Sequence, residues 1–312
     1  MKIITNYSRL KERVKDPVLA IGNFDGVHFG HQTILRTAVE EAKRIGCTPV
    51  ALSFQPHPLM VLTPDKCPLF ITPFQKKAEL IEECGIKILL SVSFTKEFSK
   101  MRARAFAEDV LYKEIGTKEV FVGKNFTFGW DREGDSSTLR VLGEEIGFKV
   151  NIVESFKIDD ITVSSSNIRK LVGEGKIREA KSLLGRYHCI KGEVIPGDKR
   201  GARLGFPTAN IKITGFLLPD VGVYSSKIKL DNRVLGGITY IGSNPTFQRG
   251  SLLVESHIFD FDEDLYGKTI EVSFAERIRG EEVFESEQDL VGQISRDIEK
   301  ARSFIDENNT KG

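Results

Sequence analysis

The 312-residue chain has little of what marks a secreted, membrane-embedded or nucleic-acid-bound protein. Its four cysteines, Cys47, Cys67, Cys84 and Cys189, are scattered with no CxxC pair. That excludes a disulfide framework or a zinc ribbon and fits a reducing compartment. No apolar run approaches the roughly 20 residues a membrane helix needs. The first sixteen residues carry Lys2, Arg9, Lys11, Glu12, Arg13 and Lys15 where a secretion signal would have an apolar core. An excess of one charge is missing too. Lys and Arg number 45 against 44 Asp and Glu, a net charge of +1, so no bulk field recruits nucleic acid or an anionic membrane. These absences predict a cytoplasmic protein whose partners are small molecules, with no nucleic acid, no membrane and no oligomer predicted. Any phosphate binding must come from local sites.

What is present is an ordinary globular balance, 29% charged and 40% apolar, in a chain long enough for two domains. Up to about Gly185, strands and helices alternate. Apolar runs at Val18–Ile21, Pro49–Phe54, Ile86–Val92, Glu119–Val122 and Phe148–Val153 read as strands. Helical spacing predicts helices over Ile34–Ile45, from Thr72 to a stop at Gly85, near Arg102–Ile115, over Asp135–Ile146 and over Lys176–Leu184. This pattern predicts an α/β domain, a doubly wound parallel sheet with ligands at the carboxyl ends of its strands. From Tyr187 the helices give way to six short β-branched runs, Tyr187–Ile195, Thr208–Ile213, Val223–Leu230, Val234–Ile241, Leu252–Phe259 and Thr269–Phe274. They predict an all-β part, a small antiparallel barrel. A closing helix starts at Ser286 with Asp289 and carries Val291, Ile294, Ile298, Ala301 and Ile305 on one side. The predicted domains are residues 1–185 and 186–312.

Four stretches carry candidate chemistry. Ile21-Gly22-Asn23-Phe24-Asp25-Gly26-Val27-His28-Phe29-Gly30-His31 joins a strand to a helix N-terminus, where free N–H groups and about half a positive charge favour phosphate. It has neither dinucleotide-fingerprint spacing nor a Gly-Lys-Ser/Thr. Its two histidines share a face of the first turn, so they could serve a triphosphate or simply cap the helix. The loop Gly123-Lys124-Asn125-Phe126-Thr127-Phe128-Gly129 is either a lid anchored in the core or a holder for a planar ring. Ser164-Ser165-Ser166 with Arg169 is either a helix cap or a phosphate cradle. Gly197 to Asn210 is a glycine-rich, basic and flexible loop followed by Thr208 and Asn210, two hard oxygen donors on one strand face that suit Mg²⁺ beside ATP phosphates. A plain hairpin loop would share that composition. Farther on, Glu255 and His257 also share a face, and a carboxylate turned into a small barrel is costly without a job.

Several of these stretches resemble one family. His28-Phe29-Gly30-His31 is similar to the His-x-Gly-His signature of nucleotidylyltransferases, and Val163-Ser164-Ser165-Ser166-Asn167-Ile168-Arg169 to a second signature, with serine for threonine at 166. Gly205-Phe206-Pro207-Thr208-Ala209-Asn210 resembles the riboflavin kinase signature. Gly222-Val223-Tyr224, Ile241 to Phe247, Val254 to His257 and Arg279 to Phe284 follow in order. Together they resemble bacterial bifunctional riboflavin kinase/FAD synthetases, apart from Gln55, where that family often has an acidic residue.

The resemblance implies a Rossmann-like adenylyltransferase domain followed by a six-stranded kinase barrel. Riboflavin would be phosphorylated to FMN with ATP, and FMN adenylylated to FAD with a second ATP, with Mg²⁺ at both sites. It implies ATP contacts from Gly22, Phe24, Asp25, His28, His31, Ser164, Ser165 and Arg169 in the first half, and from Gly201, Thr208 and Asn210 in the second. It implies flavin contacts from Asn125, Phe126, Phe128 and Arg279, catalytic roles for His28, His31 and the base Glu255, and metal contacts from Thr208 and Asn210. His57 and His257 are expected to be structural. A chain with one degenerate domain, or a non-catalytic flavin regulator, would not need all of these residues intact.

Overall fold

The computed structural model describes residues 1–8, 10–243 and 252–309. Asn244 to Phe247 of the motif series lie outside the described residues. The chain forms two compact units, Met1–Pro68 with Phe74–Ser164, and Leu69–Pro73 with Ser165–Gly312.

The first unit is built on six parallel strands, β1 (Lys2–Ile4), β2 (Pro17–Ile21), β3 (Thr48–Gln55), β4 (Ile88–Ser93), β5 (Glu119–Gly123) and β6 (Lys149–Val153), in the order β1-β4-β3-β2-β5-β6. The near-continuous apolar runs follow from burial on both faces. Leu19, Ile21, Leu52 and Leu90 join Phe106 and Leu139 in one cluster, while Val18, Ala20, Ala51 and Leu89 join Ile34, Leu35 and Ile81 in the other. Helix α1 (Phe29–Ile45) starts at His28 and ends at Gly46, whose φ of 71° suits glycine. Helices α2 (Phe74–Glu83) and α3 (Ser136–Ile146) match the sequence expectation closely. After β4 the chain departs from it. One α-turn, Ala103–Ala105, runs into a π-helix over Phe106–Glu114, so the Ile115 N–H donates to the Val110 carbonyl five residues back. From β2 the chain first builds outward through β3 and β4 and then returns to place β5 on the other side of β2. The strand order therefore reverses between β2 and β5, the position where open α/β sheets bind ligands. Gly22–His31 follows β2 and Gly123–Gly129 follows β5.

The second unit opens with α4 (Ser165–Gly173) and α5 (Ile177–Leu184), whose Ile177 lies in the barrel's core cluster. Strands β7 (His188–Ile195), β8 (Ala209–Lys212), β9 (Gly222–Leu230), β10 (Arg233–Ser243), β11 (Leu252–Ile258) and β12 (Thr269–Arg279) close into a barrel in the order β7-β8-β11-β10-β9-β12. All its pairings are antiparallel. Ile190, Tyr224, Ile228, Val254, Ile258 and Phe274 fill the interior. The buried hydroxyls of Ser226, Thr239 and Ser256 satisfy one another at 2.6 and 2.8 Å. Outside the barrel, α6 (Glu287–Asn309) lays Ala301 and Ile305 over Val223, Ile238 and Phe259. Ser286 caps this helix as expected, accepting from the Asp289 N–H at 3.1 Å and donating to the Asp289 carboxylate at 2.6 Å.

Candidate active sites

The turn after β2 is held in an unusual backbone path. Phe24, Gly26 and Val27 have φ of 51°, 92° and 37°, the left-handed region that a bulky or β-branched side chain seldom enters. Phe24 is fully buried, and its ring packs tightly on Gly22, where a Cβ would stand 3.1 Å away. The result is a compact loop that delivers His28 to the N-cap of α1. There the His28 Nδ1 accepts from the His31 N–H at 3.3 Å. The two imidazoles stack, centroids 3.7 Å apart at 17°, and His31 meets Phe24 edge to face. A Cβ at Gly30 would press on the His28 ring at 3.2 Å and reach to 3.7 Å from the Val163 carbonyl. The turn, the histidine pair and the start of the Val163 motif therefore meet. Asp25 and His28 are buried.

Lys77, which the sequence reading passed over, lies beneath the turn. It occupies the buried side of α2 with Ala78, Leu80 and Ile81. Its ammonium donates to the Asn23 carbonyl at 3.2 Å and to the Ser53 hydroxyl at 3.3 Å. A lysine in an apolar helical stripe was the available signal.

Gly22 and Asn23 also form one end of a cavity of about 650 Å³ whose other walls include Phe54, Asn125, Phe126 and Trp130. Phe126 and Phe128 stack at 5.5 Å and 13°, and Phe128 anchors the loop in the core. One ring therefore anchors the loop in the core, and the loop also lines a large aromatic cavity. His57 caps the short helix Pro58–Leu62, accepting from the Leu59 N–H at 3.2 Å. In the other unit, Ser165 opens α4, and Arg169 donates to the Leu69 carbonyl at 3.0 Å.

The barrel site lies on the opposite face from the one expected. Glu255 is not turned into the barrel. Its neighbours Val254 and Ile258 fill the interior, while Glu255 lines an outer cavity of about 640 Å³ with Gly201, Thr208, Tyr240, Arg279 and Phe284. Strand alternation explains this, because the interior takes the even-numbered residues of β11. Cross-strand pairing sets Glu255 opposite Asn210 on one side and Tyr240 on the other. Burial, and then the Asp198 carboxylate, push the Glu255 carboxyl above its ordinary range. Tyr240 donates to Glu281 at 2.5 Å.

The loop before Thr208 also differs from expectation, carrying a helical turn over Arg200–Arg203. A Cβ at Gly201 would stand 2.5 Å from the Phe206 carbonyl and 3.2 Å from the Thr208 Oγ1. One at Gly197 would stand 2.1 Å from the Asn210 amide nitrogen. Two glycines thus let backbone close over the two oxygen donors. His257 bonds the Pro207 carbonyl at 2.8 Å, beside Thr208. Arg279 pairs with buried Asp297 at 2.8 Å and lies over Phe284.

An α/β unit with a histidine-bearing turn at its switch point, joined in sequence to a barrel with a carboxylate–hydroxyl–amide face, has the design of a two-site transferase. The comparisons give that class its family. The family model for FAD synthetase matches residues 10–167, and that for riboflavin kinase matches residues 184–305. The bifunctional riboflavin kinase/FMN adenylyltransferase of Escherichia coli (strain K12) is 36% identical over 98% of this chain and 98% of its own. That of Listeria monocytogenes is 35% identical over 92% of each. A solved structure described as a macrolide-efflux protein from Streptococcus pneumoniae superposes with a TM-score of 0.86 at 27% identity, over 97% of this chain and 99% of that one. Among the described residues, no helix is long and apolar enough to cross a membrane. The chain belongs to the bifunctional riboflavin kinase/FMN adenylyltransferase family.

Proposed function

We infer that the chain makes FAD from riboflavin in two ATP-dependent steps, with residues 186–312 carrying the first and residues 1–185 the second. In the first step the ribityl 5′-hydroxyl oxygen bonds to the γ-phosphorus of ATP. The bond from that phosphorus to its bridging oxygen breaks, giving FMN and ADP. In the second, an FMN phosphate oxygen bonds to the α-phosphorus of another ATP, and pyrophosphate leaves. The observation that carries this reading is the presence of both family matches in one chain, each on a fold with its own cavity.

In the barrel, Glu255 takes the hydroxyl proton as the phosphoryl group arrives. Its outer-face position beside Thr208 and Arg279 supports that role. The Thr208 hydroxyl and the Asn210 amide oxygen fit Mg²⁺, being hard donors over which backbone closes at Gly201 and Gly197. The ion, when bound, neutralises phosphate charge. Arg279, held by Asp297, faces the flavin. In the α/β unit, His28 and His31 donate to the triphosphate as charge develops on the leaving oxygen. Gly22, Phe24 and Asp25 shape that turn. Ser164 adds a phosphate contact, and Asn125, Phe126 and Phe128 hold the isoalloxazine ring. Four free cysteines are in keeping with a cytoplasmic setting.

The test is direct. Purified protein given riboflavin, ATP and Mg²⁺ is expected to convert it first to FMN and then to FAD, resolved by chromatography. Accumulation of FMN alone would leave the second step without support. Flavin binding without either product would overturn the reading.

A further inference from the structure

An ammonium taken out of water is costly unless its surroundings compensate, and lysine is seldom fully buried. Lys77 is 8% exposed. Its ammonium donates to neutral oxygens, and the Asp25 carboxylate acts on it electrostatically. The lysine reaches 54 residues back along the chain to one carbonyl, that of Asn23, at 3.2 Å. The Ser53 hydroxyl takes part twice, donating to the same carbonyl at 3.2 Å and accepting from the lysine at 3.3 Å. Burial lowers the lysine pKa to about 8, with the Asp25 carboxylate acting the other way. In its charged form the lysine is a strong donor.

The carbonyl held in this way precedes Phe24, where the backbone enters its left-handed path. The valine at position 27, with φ of 37°, is the most demanding residue on that path. Residues in such regions are costly and persist only where surrounding structure over-determines them. Around the turn, the Val27 N–H donates to the Phe24 carbonyl at 3.2 Å, the Gly22 N–H to the Leu52 carbonyl at 3.1 Å, and the Gln32 amide to the Val27 carbonyl at 3.0 Å. The Lys77–Ser53 pair supplies the further constraint from below.

We propose that Lys77, through the Asn23 carbonyl, is a positioning residue for adenylyl transfer that fixes the turn delivering His28 and His31. This rests on the adenylyl-transfer reading of that turn. Lys77 acts through the backbone, so its effect falls on the geometry of the transition state. Replacing a merely structural buried lysine with methionine would conserve volume and remove a buried charge, which is often neutral for stability. The catalytic outcome separates the two roles.

The experiment is steady-state kinetics of the full-length chain with FMN and ATP, with riboflavin phosphorylation and a thermal melt measured on the same preparations. Lys77→Met is expected to lower kcat for FAD formation about 100-fold, the scale of a misplaced catalytic group. KM for FMN and the rate of riboflavin phosphorylation should change little. Ser53→Ala is expected to give a smaller loss in kcat. The double variant should lose less than the product of the two, as residues in one network do. Parent-like kcat in folded Lys77→Met would overturn the proposal. If that variant does not fold, parent-like kcat in Ser53→Ala would do the same. His28→Ala run alongside separates the proposal from its premise. Loss there with parent-like Lys77→Met removes only the role of Lys77, whereas persistent FAD formation in His28→Ala removes the adenylyl-transfer reading and the proposal together.

Discussion

The two candidate sites handle the same kind of ligand, a nucleotide phosphate, by opposite structural means. In the α/β unit the candidate groups sit on a strained turn at the switch point between β2 and β5, and three consecutive features supply them: left-handed backbone, an N-cap histidine and a helix N-terminus. In the barrel they sit on regular strands, and register brings together Asn210, Glu255 and Tyr240 from three different runs of sequence. A turn concentrates its chemistry in contiguous residues and requires support from elsewhere, here Lys77. A strand face needs no strained backbone, but it must be covered from outside, here by α6 and the segment that carries Phe284. The difference predicts distinct failures. Substitution in the turn should act through geometry, and substitution on the strand face through the chemistry of the group removed.

The strongest test of this contrast is Glu255→Gln. The amide keeps the volume and cannot take the proton, so riboflavin phosphorylation should fall by on the order of 10²–10⁴, the usual cost of losing a general base. Conversion of supplied FMN to FAD should persist. The melt carries a further sign. Glu255 has a folded-state pKa raised by burial, so its contribution to stability is present at acid pH and is lost as pH rises through that folded value. At neutral pH the glutamine variant should melt no lower than the parent. A folded Glu255→Gln chain with near-parent kinase turnover would leave phosphate positioning as the whole mechanism.

Next in size is His28→Ala, which removes both a phosphate donor and the cap of α1. FAD formation should fall by about 10²–10³, the effect of one charge-stabilising donor, while FMN formation from riboflavin continues. Loss of both activities in a folded chain would mean the two sites are not separable, and the contrast between them would collapse. Thr208 gives a smaller effect. Thr208→Val keeps the shape and loses the hydroxyl, so kinase turnover should drop roughly tenfold or more, whereas Thr208→Ser should retain most of it. Equal turnover in the two would show that the hydroxyl only packs.

How much of this was legible beforehand follows from the same contrast. The turn could be read because strand, glycines, histidines and helix succeed one another without a gap, and the two-domain order could be read from the change of period near Tyr187. Lys77 left only a faint trace, because its partner is 54 residues away and a lysine in an apolar stripe reads as an imperfect helix face. On β11 the period of two paired Glu255 with His257 correctly. It could not say which parity is inside, since Val254 and Ile258 are buried by the barrel while the other face is covered by a separate element. The π-helix over Phe106–Glu114 was equally hidden, because an apolar pattern this short fits a helix of either pitch. The edge strand Lys2–Ile4 is only three residues long and mostly exposed, and carries no periodic signal.

The smallest predicted effect bears on Glu255 as the proposed base of the barrel. Two causes raise the Glu255 carboxyl, burial first and the Asp198 carboxylate second. Phosphoryl transfer needs the ionised form, so kinase turnover should decline as pH falls through this raised pKa, at a pH above the range of an exposed glutamate. Asp198→Asn removes the like charge and leaves burial in place. The acid limb of the kinase pH profile should therefore move to lower pH without reaching that of an exposed carboxylate, and turnover on the alkaline plateau should drop modestly, since a less basic carboxylate is a weaker proton acceptor. The acid limb of FAD formation from supplied FMN should not move, because Asp198 belongs to the other site. The measurement is turnover against pH for both reactions in parent and variant. An unmoved kinase limb would mean that Asp198 does not act on Glu255, and that burial alone sets the base.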